Sequence, residues 1–216
     1  MSRLKMISCF LSFLFALLLL PGCQSSHPGD VAARRGIEAY QARDFETAVK
    51  ELESGLAAGV GKEQESLMNT VLGNAYDELD RYDEAKDAHK RALEIDPESY
   101  QAWTNLGATY RHSGEFEEAE KAYSKSLELS PDYPEAHASL GALYIFQQKN
   151  DEAIKSLERA VELDPKLAIA QSNLAYAYAC VGRFGEAESY LANAIELGYP
   201  NGEVMREKIE ALKQGE

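Results

Sequence analysis

The sequence predicts an all-α protein assembled from stacked helix pairs. Three observations carry this expectation. A fixed set of residues recurs at a shift of 34. Each recurrence holds two apolar stripes of helical period, broken by a turn. Acidic residues gather where the second helix of each pair starts, as in Asp83-Glu84, Glu117-Glu118 and Asp151-Glu152, the end of a helix whose dipole favours negative charge.

The units run in order along the chain. The first, at about 29–62, keeps Gly36, Phe45 and Ala48 in register, but carries Arg35 where the others have Leu and Tyr40 one place late. Glu63 to Glu65 are extra residues before the second, at 66–99, with Asn69, Leu72, Gly73, Tyr76, Ala85, His89 and Pro97. The third, at 100–133, has Trp103, Leu106, Gly107, Tyr110, Ala119, Tyr123 and Pro131 at the same places. The fourth, at 134–167, has His137, Leu140, Gly141, Tyr144, Ala153, Leu157 and Pro165. The fifth, at 168–201, has Gln171, Leu174, Ala175, Tyr178, Ala187 and Leu191, with Pro200 displaced by one.

Each part of the unit has a physical role. In the third unit, helix A is expected from about Ser99 to Ser113, a turn at Gly114, and helix B from Glu115 to Leu129. Gly107 and Ala119 let the two helices approach closely. Leu106 and Tyr110, four apart, share one helix face. Pro131 stops helix B. One helix pair cannot bury both of its faces, so neighbouring pairs supply the rest of the core. Residues 202–214 are expected to form an amphipathic capping helix, with Val204, Ile209 and Leu212 on its apolar side.

The period of 34 with Leu-Gly-x-x-Tyr, then Ala, then Pro resembles the tetratricopeptide repeat (TPR) family. The resemblance covers residues 29–201 in five copies. It implies a right-handed superhelix, an α-solenoid of five helix pairs plus the capping helix, with a TPR domain over 30–214. It also implies that A helices line a concave groove in which partner peptides lie.

Residues 1–22 read as a signal peptide. Arg3 and Lys5 precede an apolar run from Met6 to Leu20, too short to span a membrane as a helix, which takes about 20 residues. The run ends Leu20-Pro21-Gly22-Cys23, which resembles a bacterial lipobox, although Pro21 stands where Ala, Ser or Thr is usual. That resemblance implies acylation (palmitate) at Cys23, and Gln24 implies the outer membrane, with the domain facing the periplasm. Residues 23–29 read as a polar tether, ending Pro28-Gly29.

Composition sets limits. A net charge of −14 over 216 residues disfavours nucleic acid and anionic lipid surfaces, so membrane attachment is left to Cys23. Of three Cys, Cys9 leaves with the signal and Cys23 takes lipid, so Cys180 has no partner for a disulfide. Four His show no metal spacing, and no nucleophile elbow, P-loop or dinucleotide motif occurs. An enzyme, a cofactor, a metal and a small-molecule substrate are therefore not expected. His89, inside helix B, reads as packing.

The groove register selects Asn74, Asp77, Asn105, Arg111, Ile145, Phe146, Asn173 and Tyr176 as candidate partner contacts, polar and acidic toward one end and apolar toward the other. Chaperone-binding TPR domains hold an acidic chain end with a Lys, Arg and Asn clamp. Asn74 and Asn105 match it, but its Lys and Arg are absent, so no such capture is expected. The sequence thus reads as a lipid-anchored scaffold that holds a partner protein at the cell envelope, for pilus or secretion assembly or for recruitment of cell-wall enzymes. The alternatives are a homo-oligomer joined through the apolar groove end and a non-catalytic subunit of an envelope enzyme.

Overall fold

A computed structural model of the chain describes residues 27–215. The signal peptide and Cys23 lie outside the described residues. Within them there are eleven α-helices and no strand: α1 (Pro28–Gln41), α2 (Phe45–Ala58), α3 (Lys62–Glu78), α4 (Tyr82–Ile95), α5 (Tyr100–His112), α6 (Phe116–Leu129), α7 (Pro134–Phe146), α8 (Asn150–Leu163), α9 (Ala168–Cys180), α10 (Phe184–Glu196) and α11 (Gly202–Gln214). This is an all-α helical repeat fold. It divides into two compact units, one ending at Pro131 with the pairs α1/α2, α3/α4 and α5/α6, the other beginning at Asp132 with α7/α8, α9/α10 and α11.

The same small residues make every pair possible. Ala48, Ala85, Ala119, Ala153 and Ala187 occupy one register of the B helices, and all five are fully buried. Opposite, on the A helices, a glycine faces a bulky side chain. A Cβ on Gly73 would lie 2.5 Å from the His89 ring, on Gly107 2.7 Å from Tyr123, and on Gly141 2.5 Å from Leu157. Those glycines are there because the partner side chain occupies the space a methyl group would need.

The turn inside each pair is also one device used five times. Arg43, Asp80, Gly114, Gln148 and Gly182 all take positive φ. The next residue's N–H reaches back to a carbonyl five residues earlier, as in Arg81 to Tyr76 at 2.9 Å, Glu115 to Tyr110 at 2.8 Å, and Lys149 to Tyr144 and Arg183 to Tyr178, both at 2.9 Å. With the shorter bond from the left-handed residue itself, this is the Schellman arrangement that satisfies the last carbonyls of a helix. Ser99 caps α5 by accepting the Ala102 N–H at 3.3 Å, so the predicted helix from Ser99 to Ser113 is the helix plus its two caps.

Three expectations are corrected. Pro28 and Gly29 are not tether: they open α1, capped by His27, whose ring accepts the Gly29 N–H at 3.2 Å. Proline fits a first helical turn because its missing N–H has no partner there anyway. The extra residues Glu63 to Glu65 form no separate spacer but lengthen α3 to 17 residues. In α11, Ile209 is buried and Met205 and Leu212 pack on the same cluster, whereas Val204 is 52% exposed. Gly202 sits so close to Ile195 that a Cβ would lie 2.5 Å away, which sets the rotation of the helix and turns Val204 outward.

Candidate functional site

The candidate residues fall in different units, four on α3 and α5 and four on α7 and α9. In the first unit the structure joins Asp77 and Arg111 through His112, a residue outside the predicted set. Asp77 Oδ2 lies 2.7 Å from His112 Nδ1, and an Arg111 terminal nitrogen lies 2.8 Å from His112 Nε2. Arg111 can only donate, so Nε2 accepts and the Nδ1–H donates to Asp77. The histidine is thereby fixed in one tautomer between a cation and an anion. The sequence does carry a signal for it: His112 follows Asp77 by one repeat plus one residue, which places the two at matching ends of adjacent A helices.

This corner carries unused hydrogen-bonding capacity: Asp77 Oδ1 and Arg111 Nε are buried atoms without a partner, and Asn105 Nδ2, about two turns earlier on α5, is a third. Most buried polar atoms in folded proteins are paired, and each exception costs free energy that a ligand can recover. Asn74 is half-buried one turn before Asp77. At the same edge, Glu78 pairs with Arg43 at 3.5 Å. Burial, with Glu78 adding to it, pushes the Tyr40 hydroxyl up to about 12 while Arg43 opposes, so Tyr40 remains a neutral donor at any physiological pH.

The second unit offers a different surface. Ile145 and Tyr176 are half-buried against the core of α8, α9 and α10. Asn173 is half-buried on α9, and Phe146 is 66% exposed at the end of α7. Burial raises the Cys180 thiol, with a hydrogen bond from Tyr176 opposing, so the group there is a thiol rather than a nucleophilic thiolate. Among the described residues no cluster of three or more His, Cys, Asp or Glu is placed to hold a metal ion. None of the described helices is long and apolar enough to cross a membrane.

The model of the Cilia and flagella-associated protein 70 C-terminal domain, a TPR domain, matches residues 24–212. The chain belongs to that family. No curated protein matches it significantly. Among solved structures, it is similar to a thermophilic TPR protein of Thermus thermophilus, with 21% identity over 86% of this chain and 99% of that one, at a TM-score of 0.69. It is also similar to MamA from Desulfovibrio magneticus, with 17% identity over 79% and 94% and a TM-score of 0.64. A further MamA structure gives 22% identity over 82% and 95%, with a TM-score of 0.62. These likenesses establish the repeat fold. TPR domains bind protein partners and are generally scaffolds rather than catalysts.

Proposed function

We propose that this TPR protein is a lipid-anchored scaffold of the bacterial cell envelope. It is held by acylated Cys23, with Gln24 directing it to the outer membrane, and it binds a partner protein along the inner faces of its A helices. The observation that supports binding most directly is the corner of Asp77, His112 and Arg111, where Asp77 Oδ1 and Arg111 Nε are buried and short of a partner, with Asn105 Nδ2 also unpaired about two turns earlier on α5. A peptide backbone supplies the complementary donors and acceptors. Anchoring adds effective concentration, because a partner gathered at the membrane meets other envelope machinery more often. Assembly of a pilus or secretion complex, or recruitment of cell-wall enzymes, is the service this arrangement suits.

Two measurements test the reading. In cells, a photo-crosslinker at position 105 or 146 is expected to capture a protein partner, and Asn105→Ala and Tyr176→Ala are expected to reduce capture without loss of helix content. Crosslinks that form only from B-helix positions would overturn the inner-face assignment. Separately, Cys23→Ala is expected to abolish incorporation of labelled fatty acid and release the protein from the membrane fraction. Labelling that persists would remove the anchor.

A further inference from the structure

Two of the tyrosines near the ends of the A helices, Tyr76 and Tyr178, are clasped from two sides. Tyr76 donates its hydroxyl to Glu53, and Arg81 lies over its ring at 4.4 Å. Tyr178 donates to Glu158 at 2.5 Å, with Arg183 at 4.2 Å. In each case the carboxylate comes from the preceding B helix and the cation from the residue after the turn. Tyr110 holds the same register between α4 and α6, but both partners are reversed in sign. Lys90 stands where Glu53 and Glu158 stand, and Glu115 stands where Arg81 and Arg183 stand. Lys90 approaches the Tyr110 ring at 5.8 Å, and Glu115 turns away to Lys86 at 2.8 Å.

A cavity of about 580 Å³ opens beside this unclasped tyrosine, between α4, α5 and α6. Its floor is apolar and aromatic: Leu93, Leu106, Trp103 and Tyr110. Trp103 is fixed there, because its indole N–H donates to the Pro97 carbonyl at 2.9 Å. Gln171 makes the equivalent bond to Pro165, also at 2.9 Å, so the tryptophan widens an aromatic floor without giving up the local tie. Charge changes as well. Lys90, Lys121 and Lys125 against Glu94 and Glu118 leave this lining at +1. The matching positions around Tyr76 (Glu53, Glu84 and Asp87 against Arg91) sum to −2, and those around Tyr178 (Glu158, Glu162 and Glu186) to −3. In a chain of net charge −14, this is an interface that inverts the local sign.

We infer that the cavity between α4, α5 and α6 is a second docking site, for a protein segment that presents a bulky apolar side chain flanked by acidic residues. The apolar side chain seats on Trp103 and Tyr110, as aromatic anchors do in interface pockets. The flanking carboxylates meet Lys90 and exchange with Glu118 and Glu128 for Lys121 and Lys125, which those residues hold at 2.6 and 2.9 Å, so the lysines steer and orient the segment. The site is independent of the inner-face corner. Trp103, Leu106 and Tyr110 lie on one face of α5, while Asn105 and His112 lie on the opposite face by helical period.

Trp103 is the one tryptophan in the chain, so its emission reads this cavity directly. The test titrates the full chain with a hexapeptide, Asp-Glu-Phe-Leu-Asp-Glu, and with the same peptide carrying Lys in place of every acid. The acidic peptide is expected to shift Trp103 emission saturably, more weakly as salt rises, and the basic peptide to leave it unchanged. Lys90→Glu restores the carboxylate beside Tyr110 and is expected to weaken binding at least tenfold, with helix content unchanged by circular dichroism. Should that variant lose helix content, Lys121→Glu with Lys125→Glu at the rim carries the same expectation. Asn105→Ala is expected to bind like the wild type. Equal binding of both peptides, no binding of the acidic one, or wild-type affinity in the Lys→Glu variants overturns the proposal. So does a Trp103 signal that changes on dilution of the protein alone together with a dimer by sedimentation, since the occupant would then be a second copy.

Discussion

In the first unit the side chain that fills the space over Gly73 is His89; in the second the one over Gly141 is Leu157. The backbone slot is the same, with a Cβ on Gly73 or Gly141 placed 2.5 Å from the side chain in either case. The slot selects for size and shape and leaves chemistry open. Leucine fills it at no electrostatic cost. Histidine fills it as a neutral ring, 1% exposed, with Nδ1 unpaired. Burial therefore lowers the His89 pKa from 6.5 to about 4, with Asp77 pulling weakly the other way. One repeat has acquired a pH liability that its neighbour lacks.

The largest expected effect follows from that difference. The unfolded chain binds a proton at position 89 below about pH 6.5, and the folded chain does not until about pH 4. A group whose folded pKa is depressed contributes stability that is complete above the unfolded value and is lost as the pH falls toward the folded one. The loss between pH 6.5 and 4 is about 3 kcal/mol, at about 1.4 kcal/mol per pKa unit. His89→Leu, which writes the second unit's residue into the first, is expected to flatten that portion of the pH profile of thermal unfolding. A profile that keeps its slope in the variant would mean that carboxylates elsewhere set it.

Ala119 and Ala153 are fully buried B-helix alanines at the same register, one in each unit. Ala119→Leu and Ala153→Leu each force three extra carbons into a closed helix pair, at about 1–3 kcal/mol. Equal losses in denaturant midpoint are expected, because the register is the same. Unchanged unfolding in both would overturn the pairing itself. A loss confined to one would show that its unit relaxes where the other does not.

Much of this is legible in the chain because it repeats. The alanine register, the glycines opposite bulky residues and the helix ends at Ser99 and Ser113 are visible once five copies are aligned. What escapes are departures from the repeat whose meaning depends on which side chains meet. Lys90 and Glu115 look like ordinary surface charges until Glu53 and Arg81 are seen to clasp Tyr76. The spacing of His112 from other histidines suits no metal, yet its partner is a carboxylate one repeat away. Pro28-Gly29 reads as a breaker because the pair usually is one. Here Gly29 is required inside α1, where a Cβ would lie 2.8 Å from Val60, a tertiary contact that no local pattern announces.

The smallest expected effect sharpens the comparison at the turns. Gly114 in the first unit and Gln148 in the second hold the same left-handed position, at φ 85° and 60°. Glutamine has no side-chain reason to adopt it, and a residue with a Cβ pays about 1 kcal/mol or more for that conformation. A Cβ on Gly114 would meet nothing within 4 Å, so the difference is one of backbone preference alone. Gln148→Gly is expected to raise stability by somewhat less than about 1 kcal/mol, because glycine also gains entropy in the unfolded chain. Gly114→Ala is expected to lower it by about 1 kcal/mol. Opposite signs in thermal unfolding would confirm that the turn is one device in both units. The same sign in both would mean that Gln148 is held by contacts that outweigh its backbone, and that the second unit's turn has become specific to its place.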